Sequence, residues 1–272
     1  MTVLARSHKE LIWHRQRQLN QLRSALRLYY PAVLTVFKEL GAEDGVALLQ
    51  HAPTPAEGRA LSLAKLRSIL QQAGRRKQLD ARARALGEIL RRPQLEAAPL
   101  VARAYGQTVH ALVTVLQATD AQIAALEGEL VASFEAHPDA EIIRSLPGLG
   151  AILGARVLAE FGDEPSRFVD ARARKNYATS PITQASGTKS KVRARFARNP
   201  WLADTGDRWA FCSLTRSPGA RAYYDALRAR RQGHHAALRM LANRWAGILD
   251  ACLRHRRRYA EEIAWSASTV AA

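Results

Sequence analysis

The stretch VARAYGQTVHALVTVLQATDAQIAALEGELVASF, Val101–Phe134, decides the fold class. Leu112, Leu116, Thr119, Ile123, Leu126 and Leu130 alternate by four and three, the heptad spacing of a helix with one apolar seam, over about three repeats. From Ala104 to Ile143 there is no Lys or Arg, while Asp120, Glu127, Glu129, Glu135, Asp139 and Glu141 fall there. A phosphate backbone would be repelled by such a face. The helix therefore reads as a coiled-coil arm for dimerisation or as a spacer. An antiparallel pair closed within one chain, against Ile12–Tyr29, fits the same pattern.

On its N-terminal side, Ile12, Leu19, Leu22, Leu26 and Tyr29 form one helical stripe that runs until Pro31, and Arg15, Arg17, Arg23 and Arg27 take the other face. Shorter helices are expected between Gly41 and Gln94, with breaks at Pro53–Gly58 and near Gly74. On its C-terminal side, His137-Pro138-Asp139 is a break, after which segments are shorter and richer in glycine and arginine. SPGARAYYDALRARR reads as a helix with Ser217 as N-cap and Pro218 in its first turn. A last long helix, about His234–Arg257, sets Leu238, Leu241, Trp245, Ile248 and Cys252 on one side. The expectation is a mostly α protein: a helical segment over residues 1–100, the arm over 101–137, a second helical domain over 138–265 and a tail over 266–272.

The 272 residues are 47% apolar, enough to bury real cores, and carry a net charge of +17. An isoelectric point near 10.8 points to a polyanionic partner, with nucleic acid first. Residues 141–272 hold 23 basic and 11 acidic residues against 18 and 13 in 1–140, so the second half should meet it. Cys212 and Cys252 have neither zinc-ligand spacing nor a disulfide framework, and a reducing cytosol fits them. No metal site, signal peptide or membrane span is expected.

The run SLPGLGAILGARVLAEFGD places Pro147-Gly148-Leu149-Gly150 between two helix-like stretches, the outline of a helix-hairpin-helix element. Small residues let a backbone approach a phosphate, and free amides at a helix start favour it, so Gly148, Leu149 and Gly150 are candidate DNA contacts. A glycine-rich connection without any ligand has the same sequence. Further on, Arg172, Arg174, Lys175, Lys189, Lys191, Arg193, Arg195 and Arg198 occur with no acid between 172 and 198. Lys189, Lys191, Arg193 and Arg195 alternate as on one face of a strand, with Val192, Ala194 and Phe196 on the other. Ser186-Gly187-Thr188 reads as the preceding turn and Tyr177–Thr183 as the partner strand, which puts Ser186 at or beside a hairpin tip. A serine hydroxyl needs a base, a lowered pKa or a metal to attack a phosphodiester, and neighbouring cations would favour its alkoxide. His234 and His235 are the histidines that spatial proximity would have to supply. A purely structural Ser-Gly turn is the alternative.

Together, SLPGLGAILGARVLAEFGD, ARARKNYATSPITQASGTKSKVRARF and WAFCSLTRSPGARAYYDALRARRQGHHAALRMLANRWAGILDACL resemble the C-terminal half of the DEDD-type insertion-sequence transposases, the bridge-RNA-guided recombinases. The resemblance covers essentially the whole chain, with residues 1–100 similar to the segment that follows that family's catalytic core. It implies a RuvC-like domain with four metal-binding carboxylates, a coiled coil, and a C-terminal transposase domain whose essential serine corresponds to Ser186. It implies DNA cutting and rejoining through a covalent serine–phosphate link, with a structured RNA helping to choose target and donor. The coiled-coil arm adds the expectation of a homodimer or larger assembly. The matching carboxylates are absent here: Glu43, Asp44 and the acids of 120–141 do not have the motif's spacing. Mg2+ is thus expected only with the RuvC-like domain and no cofactor with this chain, which reads as a truncated product or a late-assigned start. Within the turn NYATSPIT the family's glycine is also missing. The competing reading is a non-catalytic DNA-binding helix-hairpin-helix protein or a dimerising remnant.

Overall fold

A computed structural model describes residues 1–94, 97–162, 168–178, 182–187, 189–193 and 196–266. The chain is mostly α, as the periodicities predict, and a two-stranded antiparallel sheet is the extended structure among the described residues. It divides into two compact units, Lys9–Ala125 and Met1–His8 with Leu126–Ala272, so the division falls inside α1 (Thr2–Tyr29) and α7 (Pro99–Glu135).

In the Lys9–Ala125 unit, α1 and α7 run antiparallel. Arg15 pairs with Asp120, and the rings of Tyr29 and Tyr105 stack at 5.4 Å. Leu22, Leu26 and Tyr29 of α1 share a core with Val109, Val113 and Leu116 of α7. The short helices α2 (Pro31–Val36), α3 (Glu43–His51), α4 (Pro55–Ala60), α5 (Leu63–Gln72) and α6 (Leu79–Arg91) complete it. Thr54 and Glu57 form a reciprocal capping box at α4, which explains why the break at Pro53–Gly58 contains a helix start.

The expected seam of α7 is buried at Leu116, Thr119 and Leu130, and at its start Val109 and Val113 are buried where Leu112 is only half-buried; the helix packs inside its own chain, as in the closed-pair alternative. An 18-residue window of α7 also reaches a mean hydropathy of 1.2, apolar enough by length and composition to cross a membrane, which the sequence reading had not expected. Some of its apolar side chains are buried in protein cores, Val109, Val113 and Leu116 in that of the Lys9–Ala125 unit and Leu130 and Phe134 in that of the Met1–His8 and Leu126–Ala272 unit.

The Met1–His8 and Leu126–Ala272 unit is built on α13 (His234–Arg254), whose Leu238, Leu241, Trp245, Leu249 and Leu253 are buried. Around it lie α8 (Ala140–Ser145), α9 (Ala151–Phe161), α10 (Ala171–Ala178), α11 (Pro200–Ser213), α12 (Pro218–Ala229) and α14 (Glu261–Trp265). Ser217 caps α12 by accepting from the Ala220 amide, as expected, and also donates to Glu261, which accepts the Gly219 amide. One serine thus starts α12 and docks α14. The hairpin of β1 (Ile182–Ser186) and β2 (Lys189–Arg193) interrupts the helices between α10 and α11.

Candidate nucleic-acid interface

The segment between α10 and α11 leaves and re-enters the domain through one polar knot. Asn199 donates its backbone amide to the Tyr177 carbonyl at 2.9 Å, joining the end of α10 to the start of α11. Its side-chain oxygen accepts from the amides of Trp201 and Leu202, capping α11, and its Nδ2 donates to Glu160 at 2.6 Å and to the Tyr177 hydroxyl at 3.1 Å. The buried Glu160 carboxylate is held from the other side by both nitrogens of Arg6, at 2.6 and 2.8 Å. A buried carboxylate is tolerable only with such a partner and its remaining lone pairs satisfied. The residues between Tyr177 and Asn199 are thereby fixed at their root.

From that root the hairpin register runs Ile182 opposite Arg193, Gln184 opposite Lys191 and Ser186 opposite Lys189. Ser186 and Lys189 are the last pair before a two-residue loop, and Gly187 has φ +58°, the left-handed first position that two-residue hairpin turns require. The expected hairpin is present with Ser186 beside its tip. Its first strand is Ile182–Ser186 and not Tyr177–Thr183, because Tyr177 ends α10 and is held by Asn199. Arg193 is exposed, while Arg195 and Thr188 lie outside the described residues.

The cations of α10 separate by role. Arg172 is exposed. Arg174 is buried, sandwiched with its guanidinium 4.5 Å from the Phe161 ring centre and 5.1 Å from that of Phe168, and pairs with the buried Asp250 at 3.3 Å. It is thus a core cation. Lys175 is half-buried and lies across α13: a Cβ added at Gly247 would stand 2.4 Å from its Cε.

The PGLG loop connects α8 to α9, as expected. Gly148 has φ +85°, and a Cβ there would come within 2.8 Å of the Ser213 amide and 2.9 Å of the Cys212 carbonyl carbon. This glycine serves close packing on the end of α11. Gly150 is exposed, stands just before α9 and has nothing within 4 Å of its Cβ position, and α9 has no side-chain cap there. Leu149 is buried. Beside the loop is a cleft of about 950 Å³ lined by Arg144, Phe211, Cys212, Arg216 and Arg221 among others, none of which the sequence reading selected. The PGLG loop and the hairpin root lie at opposite ends of α11.

His234 shares a 2.7 Å hydrogen bond between Nδ1 and the Tyr224 hydroxyl, and its ring lies 5.0 Å from that of His235. His235 lines a separate small cleft with Arg198, Asp204 and Arg239. Among the described residues no group of three or more His, Cys, Asp or Glu could hold a metal ion, so these residues do not fit the Mg2+ site that the resemblance implies. Burial pushes the Cys252 thiol upward, and burial with a hydrogen bond to Glu261 pushes the Tyr259 hydroxyl up to about 12.

The Glu160–Asn199 knot was also missed, although each half carries a signal. Asn199-Pro200 is a helix-start pair, and Glu160 is a lone acid in the apolar run of α9. What the sequence does not contain is that the two meet.

Comparison with known proteins bears on the same segment. Residues 140–225 match the family model described as Transposase IS116/IS110/IS902 family. The chain is 44% identical over 271 residues to the mini-circle putative transposase for IS117 of Streptomyces coelicolor, covering 98% of this chain and 66% of that protein. It is 32% identical over 264 residues to the insertion element IS116 uncharacterized 44.8 kDa protein of Streptomyces clavuligerus, covering 94% and 64%. To the insertion element IS110 uncharacterized 43.6 kDa protein of Streptomyces coelicolor it is 30% identical over 260 residues, covering 93% and 62%. The chain thus spans less than two thirds of the length of these curated relatives.

Proposed function

We propose that the chain is a member of the IS116/IS110/IS902 transposase family and is the part of an insertion-sequence transposase that grips DNA and offers Ser186 as the nucleophile. The observation that carries the reading is the hairpin. Ser186 stands in the last ladder pair before the turn, opposite Lys189, with Lys191 and Arg193 further along the same strand opposite Gln184 and Ile182, and the root is anchored by a buried carboxylate knot. Cations at those positions attract a phosphate backbone and offset the charge that builds on a pentacoordinate phosphorus.

In the reaction so proposed, the Ser186 oxygen forms a bond to phosphorus as the bond to one strand oxygen breaks. The serine proton passes to a base, and the departing oxygen takes up a proton. Strand rejoining is the reverse with a different attacking hydroxyl. No step here is routed through a metal. The structured RNA that the resemblance implies and the second copy expected from the coiled-coil arm belong to the same proposal. Leu112 and Val115, left partly or fully exposed on α7, are the apolar positions available to the second copy.

The test is Ser186→Ala in the complete transposase. DNA binding should be unchanged and covalent protein–DNA adducts, detected by mass spectrometry after nuclease digestion, should disappear. A serine-linked adduct that persists in this variant overturns the assignment.

A further inference from the structure

The basic run Arg254–Arg258 was not absorbed by the hairpin or by the PGLG loop. Three of its arginines are consumed internally: Arg254 bonds Asp250, Arg256 bonds Asp139, and Arg258 bonds Glu141 at 2.6 Å. His255 and Arg257 are exposed and, among the described residues, have no carboxylate partner. Both line a pocket of about 430 Å³ between α13 and α14, and Lys175 of α10 closes its far side. The pocket walls are largely apolar. Ile248 and Tyr259 are half-buried there, and Ile263 on α14 is 77% exposed beside the basic rim. No Asp or Glu lines it. Arg172, one helical turn before Lys175, continues the cationic rim along the exposed face of α10.

A cavity of this size, apolar inside and cationic at the edge, matches one chemical form of the polyanion this domain is proposed to hold. An unpaired nucleotide has an apolar base face to bury and a phosphate on either side to place on cations. A fully paired duplex exposes phosphates and keeps its base faces stacked, so it leaves the apolar walls wet. We propose that the pocket between α13 and α14 receives one unstacked nucleotide, its base against Ile248, Tyr259 and Ile263 and its flanking phosphates on Lys175, His255 and Arg257. The inference rests on the reading of this domain as DNA-binding, and it adds a preference for distorted or partly unpaired nucleic acid.

The experiment measures fluorescence anisotropy of the full chain with a labelled DNA duplex and with the same duplex carrying one extra unpaired nucleotide. The native chain should prefer the bulged duplex by about fivefold or more, the low end of what stacking one base contributes. Ala251→Trp, at an exposed wall position of α13, fills the pocket without changing charge, and Ile263→Asp sets a carboxylate at its mouth. Each should bring the bulged duplex to parity while leaving affinity for the intact duplex within twofold of native. Lys175→Ala should weaken both probes. Equal native affinity for the two probes overturns the inference, as does a preference that survives both Ala251→Trp and Ile263→Asp. Failure to bind either probe, with no salt dependence, would sink the DNA-binding reading itself and the inference with it, a result distinguishable from parity between bound probes.

Discussion

Replacing Asn199 tests whether the hairpin is mounted on a buried polar knot or merely follows a helix cap. Asn199 is 5% exposed and serves two functions: its oxygen caps α11, and its Nδ2 donates to Glu160 and the Tyr177 hydroxyl. Loss of an N-cap costs about 1 kcal/mol. Loss of a hydrogen bond to a buried charged group costs about 1.5–3 kcal/mol more. Asn199→Ala should therefore destabilise this unit by about 2.5–4 kcal/mol. Asn199→Asp separates the two functions. Asp caps as well as Asn, so a cap-only account predicts almost no change. In the knot account its carboxylate faces that of Glu160 across a 2.6 Å contact, and the loss should equal or exceed that of Ala. The deficit should shrink as pH falls through the carboxylate range. Protonation of either acid restores a donor between the oxygens, so the folded form binds protons more tightly than the unfolded one. Urea unfolding followed by tryptophan fluorescence suits the measurement, because Trp201, Trp209, Trp245 and Trp265 lie in this unit and Trp13 does not. An Asn199→Asp variant within about 0.5 kcal/mol of native at neutral pH would refute the reasoning.

Two further outcomes are expected. Replacing Lys191 or Arg193 by Ala should weaken DNA binding evenly across sequences and lower the slope of log affinity against log salt by about one each, and an unchanged slope would remove that residue from the interface. Gly148→Ala should destabilise the fold by about 1–3 kcal/mol in thermal or urea melts, since φ +85° and a 2.8 Å approach to the Ser213 amide both oppose a Cβ, whereas Gly150→Ala, with open space around it, should melt like native. Equal losses at the two glycines would contradict the packing role given to Gly148.

Local signals were legible in the sequence because their causes are local. Ser217-Pro218 announces the α12 cap, the alternating cations announce a strand, and Ser-Gly-Thr announces a tight turn, since each depends on backbone geometry within a few residues. The seam of α7 was legible at Leu116, Thr119 and Leu130 and missed only at its start, because both Leu112 and Val113 suit a seam and only the partner helix selects Val113. Arg174 looked like its neighbours in the basic run. Its burial is set by Phe161, Phe168 and Asp250, which come to it from distant parts of the chain. At Gly148 the sequence calls for a small residue, and the backbone that comes close to it is that of α11. In each case the residue type was right for a tight or charged environment, and the identity of the neighbour was the missing quantity.

The placement of α11 has a consequence for how DNA would be held. Its 14 residues span about 21 Å at 1.5 Å per residue, with the hairpin root at Asn199 and the PGLG loop against Cys212 and Ser213. At 3.4 Å per base pair that separation corresponds to about six base pairs. A duplex held at both ends of α11 would be contacted at two points about that far apart, at the hairpin root and near Gly150, with Ser186 set off from the root by the length of the hairpin. Neither contact reads a base edge, since backbone contacts position a duplex without identifying it. Cations and amides so placed would supply grip and register but no sequence choice. A chain that held DNA in this way would have to take any sequence preference from elsewhere, such as the deformability of the DNA.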